Sequence, residues 1–262
     1  MILLPTTFLF RDGSEEKRLK MVAGAYYIPK GTSCFRGIGD DAHFICEERQ
    51  TIGVADGVGG WGIMGIDPGE YARQLMANSL EAILMEPDGK VDLGRVLNQA
   101  YSNTKVKGAS TACILTLIDN CLHVANLGDS GFLLIRKDEI YKSEIQEHYF
   151  NCPFQLGQEA DTPDLAEIFP VDVKSGDMLI VGTDGLFDNM FERQIRDTAR
   201  LGAEVGLNPE QVAWAVAEHA YHKSMKKKVY TPFMKAAKNS GRVFSGGKPD
   251  DITVMVAYIV DA

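Results

Sequence analysis

Two short β-prone runs, Ala42 to Glu47 and Thr51 to Ala55, flank a polar turn, and the pattern predicts a hairpin that brings Asp41 and Asp56 to one end of a sheet. The spacing of apolar residues then changes. Tyr71, Leu75, Met76, Leu80, Ile83 and Leu84 recur at three and four residues, and Leu93, Val96, Leu97, Ala100 and Tyr101 do so again after a Pro-Asp-Gly break. Two amphipathic helices follow, most simply as an antiparallel pair.

Ser110 to Ile118, Cys121 to Leu127 and Phe132 to Arg136 are rich in Ile, Leu, Val and Thr and are divided by Asp119-Asn120 and Gly128-Asp129-Ser130-Gly131, which predicts an antiparallel meander. A further hairpin is expected from Ile168 to Val173 and Met178 to Thr183 across Lys174-Ser175-Gly176-Asp177, and a closing strand from Thr253 to Val260. Between them, Asn208-Pro209-Glu210-Gln211 carries a cap, a proline at the first helical position and Gln three after the cap, opening an apolar stripe through Val212, Ala215, Val216 and His219. Strands in hairpin order with helices in pairs indicate an α+β fold, sheets packed together and helices outside, instead of strict β-α-β alternation.

Composition narrows the reading. The 262 residues are 45% apolar and 24% charged, as in an ordinary soluble domain, so one domain is expected from near Leu19 to residue 262, after a mobile lead-in over residues 1–18. The net charge of −9 argues against nucleic acid and against an anionic membrane surface. No apolar stretch approaches the ~20 residues of a membrane span. Five cysteines, Cys34, Cys46, Cys113, Cys121 and Cys152, show no CxxC pair and read as small hydrophobes in a reducing intracellular compartment.

Chemistry concentrates in four aspartate-bearing segments: Gly39-Asp40-Asp41-Ala42-His43, Val54-Ala55-Asp56-Gly57, Gly182-Thr183-Asp184-Gly185 and Pro249-Asp250-Asp251-Ile252-Thr253. Each falls at the start or end of an expected strand. An isolated Asp-Gly is most often a turn, but carboxylates gathered from four strand ends repel one another unless a hard cation sits between them, and oxygen ligands suit Mg²⁺ or Mn²⁺ better than zinc. The glycines from Gly57 to Gly69 have no P-loop pattern and read as a loop over the site.

Together with Gly108-Ala109-Ser110-Thr111-Ala112, Asn126-Leu127-Gly128-Asp129-Ser130 and Thr183-Asp184-Gly185-Leu186-Phe187-Asp188-Asn189, these segments resemble, in order and spacing, the metal-dependent serine/threonine protein phosphatases of type 2C, over Met21 to Val260. The Asp-Gly-Val-Gly-Gly-Trp variant resembles the compact branch of mitochondria and plastids. The resemblance implies an αββα sandwich of two mainly antiparallel sheets flanked by helix pairs. It implies hydrolysis of phosphoserine or phosphothreonine in proteins by a hydroxide bridging two divalent ions, Mg²⁺ or Mn²⁺, in a monomer whose partner is the phosphorylated protein.

Carried over residue by residue, the resemblance makes Asp56 the bridge between both ions. Gly57, through its carbonyl, and Asp40 hold one, and Asp184 and Asp250 the other. Asp41 orients the attacking water and Arg36 binds the phosphate, while Asp129 and Asp188 with Asp184 hold a weaker third ion. Asp129 read without the resemblance is equally the first residue of a turn. Asp40 stands where the family more often has Glu.

Val58 stands where many members have a histidine thought to protonate the leaving alkoxide, leaving metal-bound water or His43 for that task. The run Lys223, Lys226, Lys227 and Lys228, continued by Lys235, Lys238, Arg242 and Lys248, reads as a solvated helix face or, more sharply, as a dock for an acidic partner. Trp61 either plugs the core edge or touches substrate. The rival functions are a catalytically weak binding module and a small-molecule phosphoesterase. For location, mitochondrion and plastid follow from the resemblance, and the cytoplasm stands otherwise.

Overall fold

The computed structural model describes residues 18–31 and 38–262. Its strands fall into two five-stranded antiparallel sheets. In the first, β1 (Leu19–Ile28) pairs over its full length with β14 (Ile252–Asp261), followed by β13 (Met178–Gly182), β7 (Gly131–Arg136) and β8 (Glu139–Lys142). The second runs β12 (Glu167–Asp172), β6 (Cys121–Leu127), β5 (Ala112–Ile118), β3 (Thr51–Asp56) and β2 (Asp41–Cys46). Two short ladders, β4 (Ala109–Ser110) with β11 (Leu156–Gly157) and β9 (Glu147–Tyr149) with β10 (Cys152–Pro153), shape the loops at one end.

Period-two patterning sorts the side chains. Ile52, Val54, Leu115, Val124, Leu179, Val181, Met255 and Ala257 point between the sheets and form the central core. Their neighbours point outward and need cover. Helices α1 (Pro68–Met85) and α2 (Leu93–Asn103) cover the second sheet, with Tyr71, Leu75, Ile83 and Leu97 against Phe44, Ile114 and Leu127. Helices α4 (Glu192–Glu204) and α5 (Pro209–Ser224) cover the first, with Ile195, Val212 and Val216 against Leu133, Ile180 and Val256. The result is the expected αββα sandwich, in which each fully buried Leu, Ile or Val contributes roughly 1.5–3 kcal/mol. The short α3 (Asp184–Phe187) and α6 (Pro232–Asn239) complete the helices of the described residues.

Two expected connections are corrected. The meander breaks after β6, because β6 stays with β5 while β7 joins β13 in the other sheet; Gly128, at φ +102°, begins the crossing. Likewise β12 and β13 are not a hairpin. β12 pairs with β6 and β13 with β14 and β7, and Asp177 makes the corner by accepting from the Lys174 amide at 2.8 Å. Both strands of each would-be pair bury one face in the same central core, so alternation cannot say to which sheet a strand belongs. On α5 the buried stripe turns out to be Val212, Ala213, Val216, Ala217 and Ala220, while His219 is exposed and bonded to Thr198. The expected mobile lead-in falls outside the described residues except at Arg18.

Candidate active site

Both sheets end in aspartates at the same edge of the sandwich. Asp41 opens β2, Asp56 closes β3, and the two face each other in the ladder. Asp184 follows β13 through Thr183, Asp250 and Asp251 precede β14, and Asp129 follows β6 through Gly128. The sheets are joined there by hydroxyls: Thr183 Oγ1 and Thr253 Oγ1 each donate to Asp41 Oδ2 at 2.7 Å. Gly57 is a close-approach position, since a Cβ there would lie 2.3 Å from the Pro68 carbonyl oxygen and 2.7 Å from that of Asp40. Its amide donates to the Asp40 carbonyl at 3.1 Å, which draws Asp40 beside Asp56.

A cleft of about 380 Å³ opens over this edge, lined by Asp56, Gly57, Asp129, Asp184 and Asp250 with Lys30 and Lys248. Asp188 caps the C-terminal end of α3, four residues after Asp184, and Asp40 and Asp41 are buried beneath. Every aspartate expected at the site is therefore at this end. Arg36 falls outside the described residues.

Crowding governs the electrostatics. Burial and then the Asp184 charge push Asp56 far above the usual carboxylate range. Burial and Asp251 do the same to Asp41, and burial and Asp184 to Asp129, while burial and Asp184 also raise Asp250. Asp40 is raised by burial against the pull of Lys30, and Asp188 is pushed up by burial to about 7 against that of Lys248. Asp184 alone of the set is lowered: burial is the largest single influence and opposes its charge, but the Lys248 ammonium, a hydrogen bond with Asp56 and the Lys30 charge together outweigh it.

The two lysines were not expected here. Lys248 Nζ lies 2.5 Å from Asp184 Oδ2, 2.7 Å from Asp188 Oδ2 and 3.4 Å from Asp250 Oδ2, with its backbone clamped at both ends by the Asn189 amide side chain. Lys30 Nζ lies 2.9 Å from Asp250 and 3.6 Å from Asp40. Lys248 was visible in the sequence beside Pro249-Asp250, but counting it with the basic run hid its role. Asp251 accepts from the Tyr27 hydroxyl at 2.6 Å and the Lys30 amide at 3.0 Å. The threonines of the Gly-Thr-Asp-Gly and Asp-Asp-Ile-Thr segments, passed over in sequence, prove to be the hydroxyls that hold Asp41.

The donor set fits hard cations. Among the described residues, the buried Oδ1 of Asp41, Oδ1 of Asp184 and Oδ2 of Asp251 have no hydrogen-bond partner, an expensive arrangement that a divalent ion would relieve. No three carboxylates among the described residues yet converge as a ligand set, and the ammonium groups stand between them.

Val58 donates its amide to the Ala109 carbonyl and lines the cleft, and its side chain has no transferable proton. His43 lies two residues from Asp41 on the same strand face, exposed on the edge strand β2. The basic run divides: Lys226, Lys227 and Lys228 are exposed, whereas Lys223 is buried and donates to Gln194. Cys46, Cys113, Cys121 and Cys152 are free thiols, the first two buried, as expected of small hydrophobes.

The family described as Stage II sporulation protein E (SpoIIE) matches residues 51–260. Among curated relatives, "Probable protein phosphatase 2C 55" of Arabidopsis thaliana is 45% identical over 93% of this chain and 52% of its own length. "Putative protein phosphatase 2C 24" of Oryza sativa subsp. japonica is 37% identical over 95% of this chain and 80% of its own. The solved structure of the photosystem II phosphatase PBCP superposes with a TM-score of 0.84 at 30% identity, covering 92% of this chain and all of that one. The chain spans 52–60% of the length of the two relatives it matches at 43–45% identity.

Proposed function

The chain belongs to the type 2C family of protein phosphatases, and on that premise we propose that it hydrolyses phosphoserine and phosphothreonine in proteins with two divalent ions, Mg²⁺ or Mn²⁺, held at the acidic end of its sandwich. One observation carries the reading: aspartates from separate segments of both sheets share a single cleft, and one of them, Asp184, keeps a buried carboxylate oxygen that lacks a donor. A domain kept for binding alone has no use for so costly a cluster.

In this reading Asp56 serves both ions. Gly57, through its carbonyl, and Asp40 belong to the first, Asp184 and Asp250 to the second, and Asp129 and Asp188 with Asp184 to a weaker third. Ions so held would supply Lewis acidity and a nucleophilic water at neutral pH. Asp41, fixed through Oδ2 by Thr183 and Thr253, keeps Oδ1 free to orient that water. With their carboxylate partners engaged by ions, Lys30 and Lys248 would be left facing the cleft as positive charge for the phosphoryl oxygens. Arg36, four residues before Asp40, adds the planar fork expected of a phosphate clamp. Val58 offers the leaving oxygen no proton.

The test is phosphate release from phosphopeptides and from an aryl phosphate with Mg²⁺, with Mn²⁺ and with chelator. Turnover of phosphopeptides that requires either ion is expected. Undiminished activity in chelator would end the two-ion reading, and turnover of small esters without peptides would favour the small-molecule rival. Among the compartments left open above, the photosystem II phosphatase favours a plastid for this chain, which imaging of the tagged protein would check.

A further inference from the structure

Three chain segments run from the wall of the acidic cleft to the wall of a second cavity of about 210 Å³. The loop after Asp56 lines the cleft with Gly57 to Gly60 and the cavity with Trp61, Met64 and Ile66. The segment around β4 puts Thr111 on the first and Gly108 on the second. The third puts Pro153 on the cleft and, just past β11, Glu159 on the cavity. The β4 to β11 ladder, a bridge between Gly57 and Ser110, and the Val58 amide bonded to the Ala109 carbonyl at 2.9 Å hold the three together. The two hollows are neighbouring parts of one surface.

The loop's apolar residues face outward. A 3-10 turn over Gly59–Met64, closed by Gly65 at φ +75°, leaves Ile63 92% and Met64 63% exposed, next to the half-buried Trp61. Large apolar side chains this exposed and this close together cost solubility and contribute nothing to the core. Their placement suits a partner that arrives with its own apolar side chain.

We propose that this cavity is a subsite for a large apolar side chain of the substrate, Leu, Met or Phe, lying a few residues from the phosphorylated Ser or Thr. The proposal rests on the phosphoprotein reading above and narrows its substrate class. An extended peptide advances ~3.3 Å per residue, so a chain whose phosphoryl group enters the cleft brings a neighbouring side chain over Gly59 and Gly60 to Trp61. A cavity of about 210 Å³ has room for one such side chain. Lys107, Gln158 and Glu159 also line it, and with one charge of each sign they favour neither acidic nor basic flanks.

The experiment compares phosphoserine peptides with Ala, Leu, Phe or Asp placed in turn at each of the four positions on either side, assayed with Mn²⁺ and referred to an aryl phosphate. At one position Leu and Phe should raise kcat/KM at least tenfold over Ala, chiefly through KM, with Asp below Ala. Met64→Asp and, separately, Trp61→Ala should bring the Leu-to-Ala ratio at that position close to one, with the thermal transition of each variant confirming its fold. Equal turnover of all peptides, or an unchanged ratio in both variants, overturns the subsite while leaving the phosphatase reading intact. Turnover of the aryl phosphate with no peptide hydrolysed overturns the phosphoprotein reading, and the subsite with it.

Discussion

Thr183, just past the end of β13, donates its hydroxyl across the sandwich to Oδ2 of Asp41 at the start of β2, 2.7 Å away, so that one sheet holds the other's carboxylate. Asp41 in turn faces Asp56 in its own ladder. The relative placement of acids from different sheets thus depends on buried hydroxyl bridges. Thr183→Val, which keeps the shape and removes the donor, should lower unfolding free energy by about 1–3 kcal/mol. Thr183→Ser should recover most of it. Urea midpoints at constant m-value check both.

Asp56→Asn should separate stability from function. Burial and Asp184 make a charge at Asp56 costly in the metal-free protein, so the variant in chelator should melt higher than the wild type, by roughly 2–4 °C per kcal/mol relieved. Metal-dependent turnover should fall by orders of magnitude, and Asp56→Asn with Asp184→Asn should cost little more than either alone, because the ligands act as a unit. Turnover near the wild-type level in Asp56→Asn would sink its assignment.

Lys248→Met removes the ammonium that contacts Asp184, Asp188 and Asp250. In chelator the variant should lose about 3–5 kcal/mol, the usual cost of stranding buried charge. Divalent ions should bind it more tightly, by roughly 5- to 150-fold if the coupling has an ordinary size of 1–3 kcal/mol. Titration calorimetry of the unliganded protein with Mn²⁺ reads the second effect without any turnover assay. Unchanged affinity would mean that the lysine and the ions do not compete.

The metal-free protein should lose stability as pH rises toward neutrality. Burial raises the Asp188 carboxyl to about 7, above its unfolded value, so the folded state holds the extra proton. The resulting stabilisation is complete below the unfolded pKa and is lost as pH climbs through about 7. Asp188→Asn should flatten the slope between about pH 4 and 7 in a series of chelated denaturation curves, and saturating Mn²⁺ should reverse its sign by favouring the ionised carboxylates.

Val58→His tests the missing proton donor. Phosphoserine, whose alkoxide leaves poorly, should gain selectively over an aryl phosphate, by at most the ~10²- to 10⁴-fold typical of general acid catalysis. Equal acceleration of both esters, or of neither, would mean that another group already protonates the leaving oxygen.

The acids themselves were legible in the chain because each stands at a strand end marked by its own turn chemistry: Asp56 before Gly57, Asp184 before Gly185, Asp250 before the run to Val260. Helices α1 and α2 were legible from spacing at three and four residues, since burying one face of a helix imposes that period on the sequence. The partners of each strand were not. Phe132 and Val124 both point into the central core from opposite sheets, and alternation records that a face is buried without recording what lies against it. Long-range charge pairing was hidden for a similar reason. Lys30 meets Asp250 across 220 residues, and Lys248 meets Asp184 across 64, because β14 pairs with β1 on one side and β13 on the other and so brings their ends together within one sheet. Local sequence determines which residues stand at strand ends, whereas the closing of the sandwich decides which of those ends share a cleft.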